Sequence, residues 1–214
     1  MEESKTPIII IGTGPEARAA LDAANALDVM VYGFLTDDDS TISQEINDIL
    51  VIAKLGNRDS DTLLEDENIK LVVAARDIEH RHNLVKYLAI KKPELINLIH
   101  PFSSISSYAK IGKGNLIYPG VIVHANALVG SYNLIETGVS IDIDTQIGDF
   151  CTLQTGARIG REVMIHKDVI VGMGAVIHPG LTIGEGAMIG PGAVVLKNVD
   201  PGQTVFGNPA KPTN

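Results

Sequence analysis

From Ile105 onward an aliphatic side chain recurs at every sixth position: Ile105, Ile111, Ile117, Val123, Val129, Ile135, Ile141, Ile147, Leu153, Ile159, Ile165, Val171, Ile177, Ile183, Ile189 and Val195, with no insertion or slip. A 3.6-residue helical period fits none of this. A fixed six-residue period marks a parallel β-helix built from hexapeptides. Each hexapeptide supplies one short face and one corner, and three close an 18-residue triangular coil. Five complete coils are counted from 105 to 194. The aliphatic points inward and stacks on the residue 18 positions away, with coils about 4.8 Å apart. Four positions after each aliphatic come small or β-branched residues that suit a narrow interior: Ala109, Asn115, Val121, Ala127, Asn133, Val139, Thr145, Cys151 and Ala157. Glycine follows the aliphatic at 112, 130, 148, 160, 172, 184 and 190, where the corner backbone is expected to need dihedrals that other residues resist.

The first half follows a different pattern. The run Pro7–Ile11 reads as a buried strand, followed by Gly12-Thr13-Gly14 and a helix from Pro15 to Leu27. Pro15 suits a first helical turn, where its missing N–H has no partner to lose. Further strands are expected over 30–35, 51–53 and 70–75, and a helix over 78–90 that buries Ile78, Leu84 and Leu88. Alternating strands and helices imply a parallel sheet with its ligand at the carboxyl ends of the strands. The chain therefore divides into an α/β unit over 1–98, a coil over 99–200 and an extended tail over 201–214. The α/β unit is expected to cap one end of the coil, since a repeat stack needs caps.

Charge sharpens the division. Residues 1–98 carry 18 acidic and 10 basic side chains, residues 99–214 only 8 and 7, and the net charge is −9. That balance argues against unaided binding to nucleic acid, where neutralising cations dominate affinity. One cysteine, Cys151, excludes an internal disulfide and a Cys-rich metal site, and no metal is assigned. The start Met-Glu-Glu-Ser-Lys has no apolar signal segment, and the apolar runs fall far short of the roughly 20 residues of a membrane span. A soluble, cytoplasmic protein without membrane insertion is expected.

The metronome and the closing Val205-Phe206-Gly207-Asn208-Pro209-Ala210-Lys211 resemble the left-handed β-helix, hexapeptide-repeat acyltransferases. An α/β unit followed directly by Leu95–Gly114, together with the segments Gly33–Asp39, Arg81 and Ile147–Cys151, is similar to the sialic acid O-acetyltransferase-like group. That group includes N-acetyltransferases of nucleotide-linked amino sugars. The resemblance covers Ile8 to Lys211. It implies a Rossmann-like first domain, a left-handed parallel β-helix, a homotrimer and acetyl-CoA as co-substrate held between subunits. It further implies that Gly12, Thr13, Gly14, Asp37 and Asp38 hold the nucleotide, of uridine type, of a nucleotide-linked sugar, and that backbone or side chains at Thr152, Arg161, Met173 and Pro191 line the acetyl-CoA groove. Without the resemblance, the Gly12–Gly14 stretch reads equally as a tight turn and the aspartates as a solvated acidic loop.

The catalytic pattern departs from that group at three places. The family's base is a histidine between two acids; here Asp142 and Asp144 flank Ile143. A second histidine position holds Thr152, and the glycine-loop histidine is Glu16. An attacking amine or hydroxyl must lose a proton, and a positioned base is worth about 10²–10⁴-fold; isoleucine cannot accept one. Positions 124, 142, 160 and 178 are 18 apart, which places His124 beside Asp142, a pair that could act as the base. The other reading makes His124 one of several polar corner histidines, with His100, His166 and His178. His80 and His82 read as solvated helix residues, Arg161 as a surface ion pair or a CoA-phosphate contact, and Tyr118 and Tyr132 as face-packing residues at a trimer contact. Three functions remain open: N-acetylation of a nucleotide-linked amino sugar, a catalytically silent trimeric binding homologue, and O-acetylation of another hydroxyl acceptor.

Overall fold

The computed structural model describes residues 6–91 and 93–213. These form two compact units that divide between His100 and Pro101.

In the first unit, in chain order, lie β1 (Ile8–Ile11), α1 (Pro15–Ala26), β2 (Val31–Thr36), β3 (Glu45–Ile46), β4 (Ile49–Lys54), α2 (Arg58–Leu64), β5 (Lys70–Val73), α3 (Ile78–Lys91) and β6 (Glu94–Leu95). The sheet order is β3-β4-β2-β1-β5-β6, and all pairs are parallel except the β3–β4 hairpin. β1 lies centrally with all four isoleucines buried, as expected for a parallel strand covered on both faces. Its end pairs with both neighbours, Ile11 with Leu35 and with Val73, which aligns three strand ends beside the Gly12–Gly14 loop. One face packs Ile9, Ile11, Leu35, Leu71 and Val73 against Leu84 and Leu88 of α3. Ile78 is only half-buried. α2, β3 and β6 lie outside the elements that the hydrophobic pattern predicts. α2 spans seven residues, and its start is fixed by the Asn57 side chain, which accepts from Ser60 N at 2.8 Å.

In the second unit the register is the one the period requires. Ile105, Val123, Ile141, Ile159, Ile177 and Val195 pair in parallel, each 18 residues from the next, on a first face. A second face runs through Ile111, Val129, Ile147, Ile165 and Ile183. A third runs through Ile117, Ile135, Leu153, Val171, Ile189 and Val205. From Ile117 on, every metronome residue is buried. The interior polar residues are bonded along the stack. Asn115 Oδ1 accepts from Asn133 N at 2.8 Å, Asn133 Oδ1 from Cys151 N at 2.7 Å, and Thr145 Oγ1 donates to Gly160 O at 2.8 Å.

The corners correct one expectation. The glycines that follow the aliphatics do not occupy left-handed backbone. They are required by space: a Cβ on Gly148 would stand 2.6 Å from Lys167 N, and one on Gly172 2.6 Å from Pro191 N. The left-handed position falls two residues later, at every sixth residue from Gly114 to Gly192. It is held by glycine at 114, 120, 138, 156, 174, 180, 186 and 192, and by Asn126, Tyr132, Asp144, Phe150, Glu162 and Asp168 elsewhere. The segment expected to run on as an extended tail instead folds back. Thr204–Phe206 lies parallel to Met188–Ile189, and Lys211–Pro212 returns antiparallel to it. Phe206 covers Gly190, where any side chain would collide with its ring.

Candidate functional site

Each unit presents its own constellation. In the first, the Gly12–Gly14 loop and the ends of β2 and β5 share one edge of the sheet. Gly12 has φ +118, and a Cβ there would stand 2.5 Å from Ala74 O, so only glycine lets β1 leave the sheet this close to the β5 end. Glu16, in the first turn of α1, is buried and its Oε1 accepts from Arg76 Nε at 2.7 Å. The two expected nucleotide acids differ. Asp38 Oδ1 accepts from Ser40 N at 2.9 Å and caps a short 3₁₀ turn over Asp39–Thr41. Those bonds from the Ser40 backbone and hydroxyl hold the Asp38 carboxyl below the usual range. Asp37 Oδ2 stands 2.9 Å from His80 Nε2, and both side chains remain partly exposed to solvent. Arg81 is buried, donating from Nη1 to Ala75 O at 2.7 Å and Arg76 O at 3.1 Å, which fixes the chain after β5.

In the coil, the edge that follows the first face stacks three columns. The first is His124, Asp142, Gly160 and His178; the second Ala125, Ile143, Arg161 and Pro179; the third Asn126, Asp144, Glu162 and Gly180, in the 18-residue register of the face. His124 thus neighbours Asp142, as the spacing requires. Among the described residues no hydrogen bond or ion pair joins them: Asp142 Oδ1 accepts from Ile143 N at 2.7 Å. Asp144 has φ 58 and accepts from Asn126 Nδ2 at 3.0 Å. Ile143 is 43 % exposed, an apolar side chain presented where the family pattern has its base. His124, Asp142, Arg158 and His178 border a groove of about 450 Å³ along the first face, with Ile122, Val176 and Leu196 as its apolar wall.

The residues expected at the acetyl-CoA groove separate. Met173 (56 % exposed) and Pro191 share the edge that follows the third face, one rung apart. Arg161 stands on the opposite edge of the first face and, among the described residues, pairs with no carboxylate. Thr152 is only 1 % exposed. Tyr132, in left-handed backbone, stacks on Phe150 with ring centroids 4.9 Å apart.

The edge with Met173 carries a feature that the sequence reading did not identify. Glu136 Oε2 accepts from Thr155 N at 3.1 Å and from Thr155 Oγ1 at 3.0 Å. One rung on, Gln154 Oε1 accepts from Met173 N at 3.2 Å. Both bonds span 19 residues, one coil plus one, and that spacing is the signal by which they could have been found. The left-handed position of this edge is glycine in every rung: 120, 138, 156, 174 and 192.

A family model described as bacterial transferase hexapeptide (six repeats) matches residues 162–197. No curated protein sequence matches the chain. Among solved structures, the chain is similar to PerB from Caulobacter crescentus in complex with CoA and GDP-perosamine, at 25 % identity over 97 % of both chains with a TM-score of 0.89. It is similar to the acetyltransferase domain of PglB from Neisseria gonorrhoeae FA1090, at 27 % identity over 98 % of this chain and 100 % of that one, TM-score 0.87. That domain is also known in complex with acetyl coenzyme A. WeeI from Acinetobacter baumannii AYE, at 24 % identity and TM-score 0.86, shares the fold. The six-residue period, the parallel three-faced coil and these full-length likenesses agree: the chain is an acyltransferase, similar along its whole length to the hexapeptide-repeat acetyltransferases of nucleotide-linked amino sugars.

Proposed function

We propose that the protein transfers the acetyl group of acetyl-CoA to the amine of a nucleotide-linked amino sugar. The observation that carries this reading is likeness along both units at once to an enzyme held with CoA and GDP-perosamine. The first unit is then a Rossmann-like nucleotide-sugar domain. The Gly12–Thr13–Gly14 loop approaches the nucleotide and Asp37, beside His80, accepts from its sugar or base, while Asp38 shapes the loop between them. The second unit supplies the acetyl-CoA groove at Met173 and Pro191, with Arg161 contributed across a homotrimer contact. An amine suits this site better than a hydroxyl, because it can arrive neutral and already nucleophilic. Neither His124 nor Asp142 is oriented by the other, so the reading does not require them as base.

The test mixes acetyl-CoA with UDP-, GDP- and dTDP-linked amino sugars and follows free thiol. Release with one of these acceptors, and none with their N-acetylated forms, is the expected result. No release with any acceptor, together with no CoA binding by calorimetry, overturns it. A second reading, a catalytically silent binding homologue, is favoured by the exposed Ile143 at the base position. Ile143→His separates the two: activity appearing only in the variant, with unchanged ligand affinity, supports the silent reading.

A further inference from the structure

Of the eight acidic side chains after residue 100, Glu136 is the buried one, at 4 % exposure. Its visible duty is to cap the corner amide of Thr155. One rung on, Gln154 performs that duty for Met173 with a neutral amide. Burying a carboxylate is costlier than burying an amide. The capping bond itself asks only for a hydrogen-bond acceptor, which an amide supplies at 154 and a carboxylate, able to take a proton, supplies at 136. The carboxylate also bonds a second group, the hydroxyl of Thr155, a residue exposed to solvent. Thr155 lies directly before Met173 in the stack, its carbonyl accepting from Gly174 N at 2.9 Å.

We propose that Thr155 and Glu136 form the proton relay for acyl transfer, in place of the base missing at Ile143. In the step, the acceptor nitrogen bonds to the thioester carbonyl carbon and the carbon–sulfur bond breaks. The proton leaving nitrogen passes to Thr155 Oγ as the Thr155 hydroxyl proton passes to Glu136. The same proton returns through Thr155 to the departing CoA thiolate, so both groups end as they began. Thr155 touches the reacting atoms; Glu136 acts through it and is a positioning residue that holds the proton. The acceptor's identity rests on the reading above, whereas the relay rests only on acyl transfer from a thioester.

Glu136→Gln separates capping from proton transfer, since the amide oxygen can still accept from Thr155. Measured with acetyl-CoA and the amino-sugar panel, it is expected to lower kcat by about 10²–10⁴-fold. KM for acetyl-CoA and the melting temperature should stay near those of the parent. Thr155→Val, at an exposed position, should lose a similar factor, while Thr155→Ser should retain most activity and Glu136→Asp part of it. Hydrolysis of acetyl-CoA with no acceptor present, water being the nucleophile, reads the relay even if every amino sugar fails. Either kcat of Thr155→Val or kcat of Glu136→Gln within threefold of the parent overturns the relay. So does a parent that accelerates neither transfer nor hydrolysis.

Discussion

Two edges of the coil share one backbone and differ in what they display. The edge after the second face carries Gly114, Tyr132, Phe150, Asp168 and Gly186 at its left-handed positions; the edge after the third face carries glycine in all five rungs. The dihedrals are alike, φ 58–62 at Tyr132, Phe150 and Asp168 against 64–73 along the glycine edge. Backbone alone therefore does not demand glycine, because the first edge tolerates an aromatic ring there. Crowding does not demand it either, since a Cβ at 138, 156, 174 or 192 would meet nothing within 4 Å. What remains is the surface itself. The glycine edge is kept bare beside Thr155, Met173 and Pro191, where the acyl-CoA arm is proposed to lie, while the other edge builds outward with side chains that pack on one another.

The largest expected effect tests the glycines that space does require. Gly172→Ala places a Cβ 2.6 Å from Pro191 N and 2.7 Å from Ile189 O, both backbone atoms that cannot step aside. A loss of about 3 kcal/mol is expected, at the upper end of overpacking penalties, seen as a lower midpoint in denaturant unfolding. A loss below about 1 kcal/mol would mean that the rungs can part, and the distinction between crowded and bare glycines would fail.

The next effect sets the two edges against each other. Gly174 and Gly186 share φ near +65 and open space beyond, so each substitution to alanine should cost about 1–2 kcal/mol of stability from left-handed strain alone. Only Gly174→Ala should also weaken acetyl-CoA binding, by at least about tenfold, or roughly 1.4 kcal/mol, in calorimetric titration. Equal affinities in the two variants would show that the bare edge is not where the arm lies.

How much of this could be read from the letters differs by kind of information. The period fixed the register, because a branched aliphatic has one place to go in a prism this narrow; Val123 opposite Ile141 and Ile141 opposite Ile159 follow from counting. The two glycine registers look identical in sequence, yet one answers to crowding and the other to dihedral angle. That difference exists only once neighbouring rungs are in place. α2 escaped because seven residues burying only Ser60 and Leu64 give no helical period to detect. At the site, Ile143 was legible as a missing base, but the burial of Thr152 and the close approach of His80 to Asp37 depend on neighbours distant in the chain. Glu136 was passed over because an acid one residue after an aliphatic reads as a surface corner until its neighbours bury it.

A smaller effect concerns the strain that the side-chain edge accepts. Tyr132 in left-handed backbone forfeits about 1–2 kcal/mol, and its stack on Phe150 returns about 0.5–1.5 kcal/mol beyond ordinary burial. Tyr132→Asn, which relieves the strain and loses the stack, should therefore shift stability by less than about 1 kcal/mol in either direction. Tyr132→Asn combined with Phe150→Asn should cost no more than the worse single change, because the pair can be lost only once.

The smallest effect lies in charge beside the left-handed position, which the side-chain edge carries at Asp168 and which glycine leaves out on the other edge. Beside Asp168, Lys167 Nζ stands 3.1 Å from Glu185 Oε1, one rung along. The bond to the Glu185 carboxylate, reinforced by its charge, raises the Lys167 ammonium above the ordinary lysine range. Because the folded value lies above the unfolded one, the pair's contribution is complete below the ordinary lysine range and fades as pH rises through it. The parent should therefore melt slightly above Lys167→Met at neutral pH, and the gap should close as the solution becomes strongly alkaline. The pair is exposed to solvent, so concentrated salt should close the gap at neutral pH as well. The same comparison made with Gly174→Ala, on the edge that presents no charge at its left-handed position, should give a difference that neither pH nor salt alters.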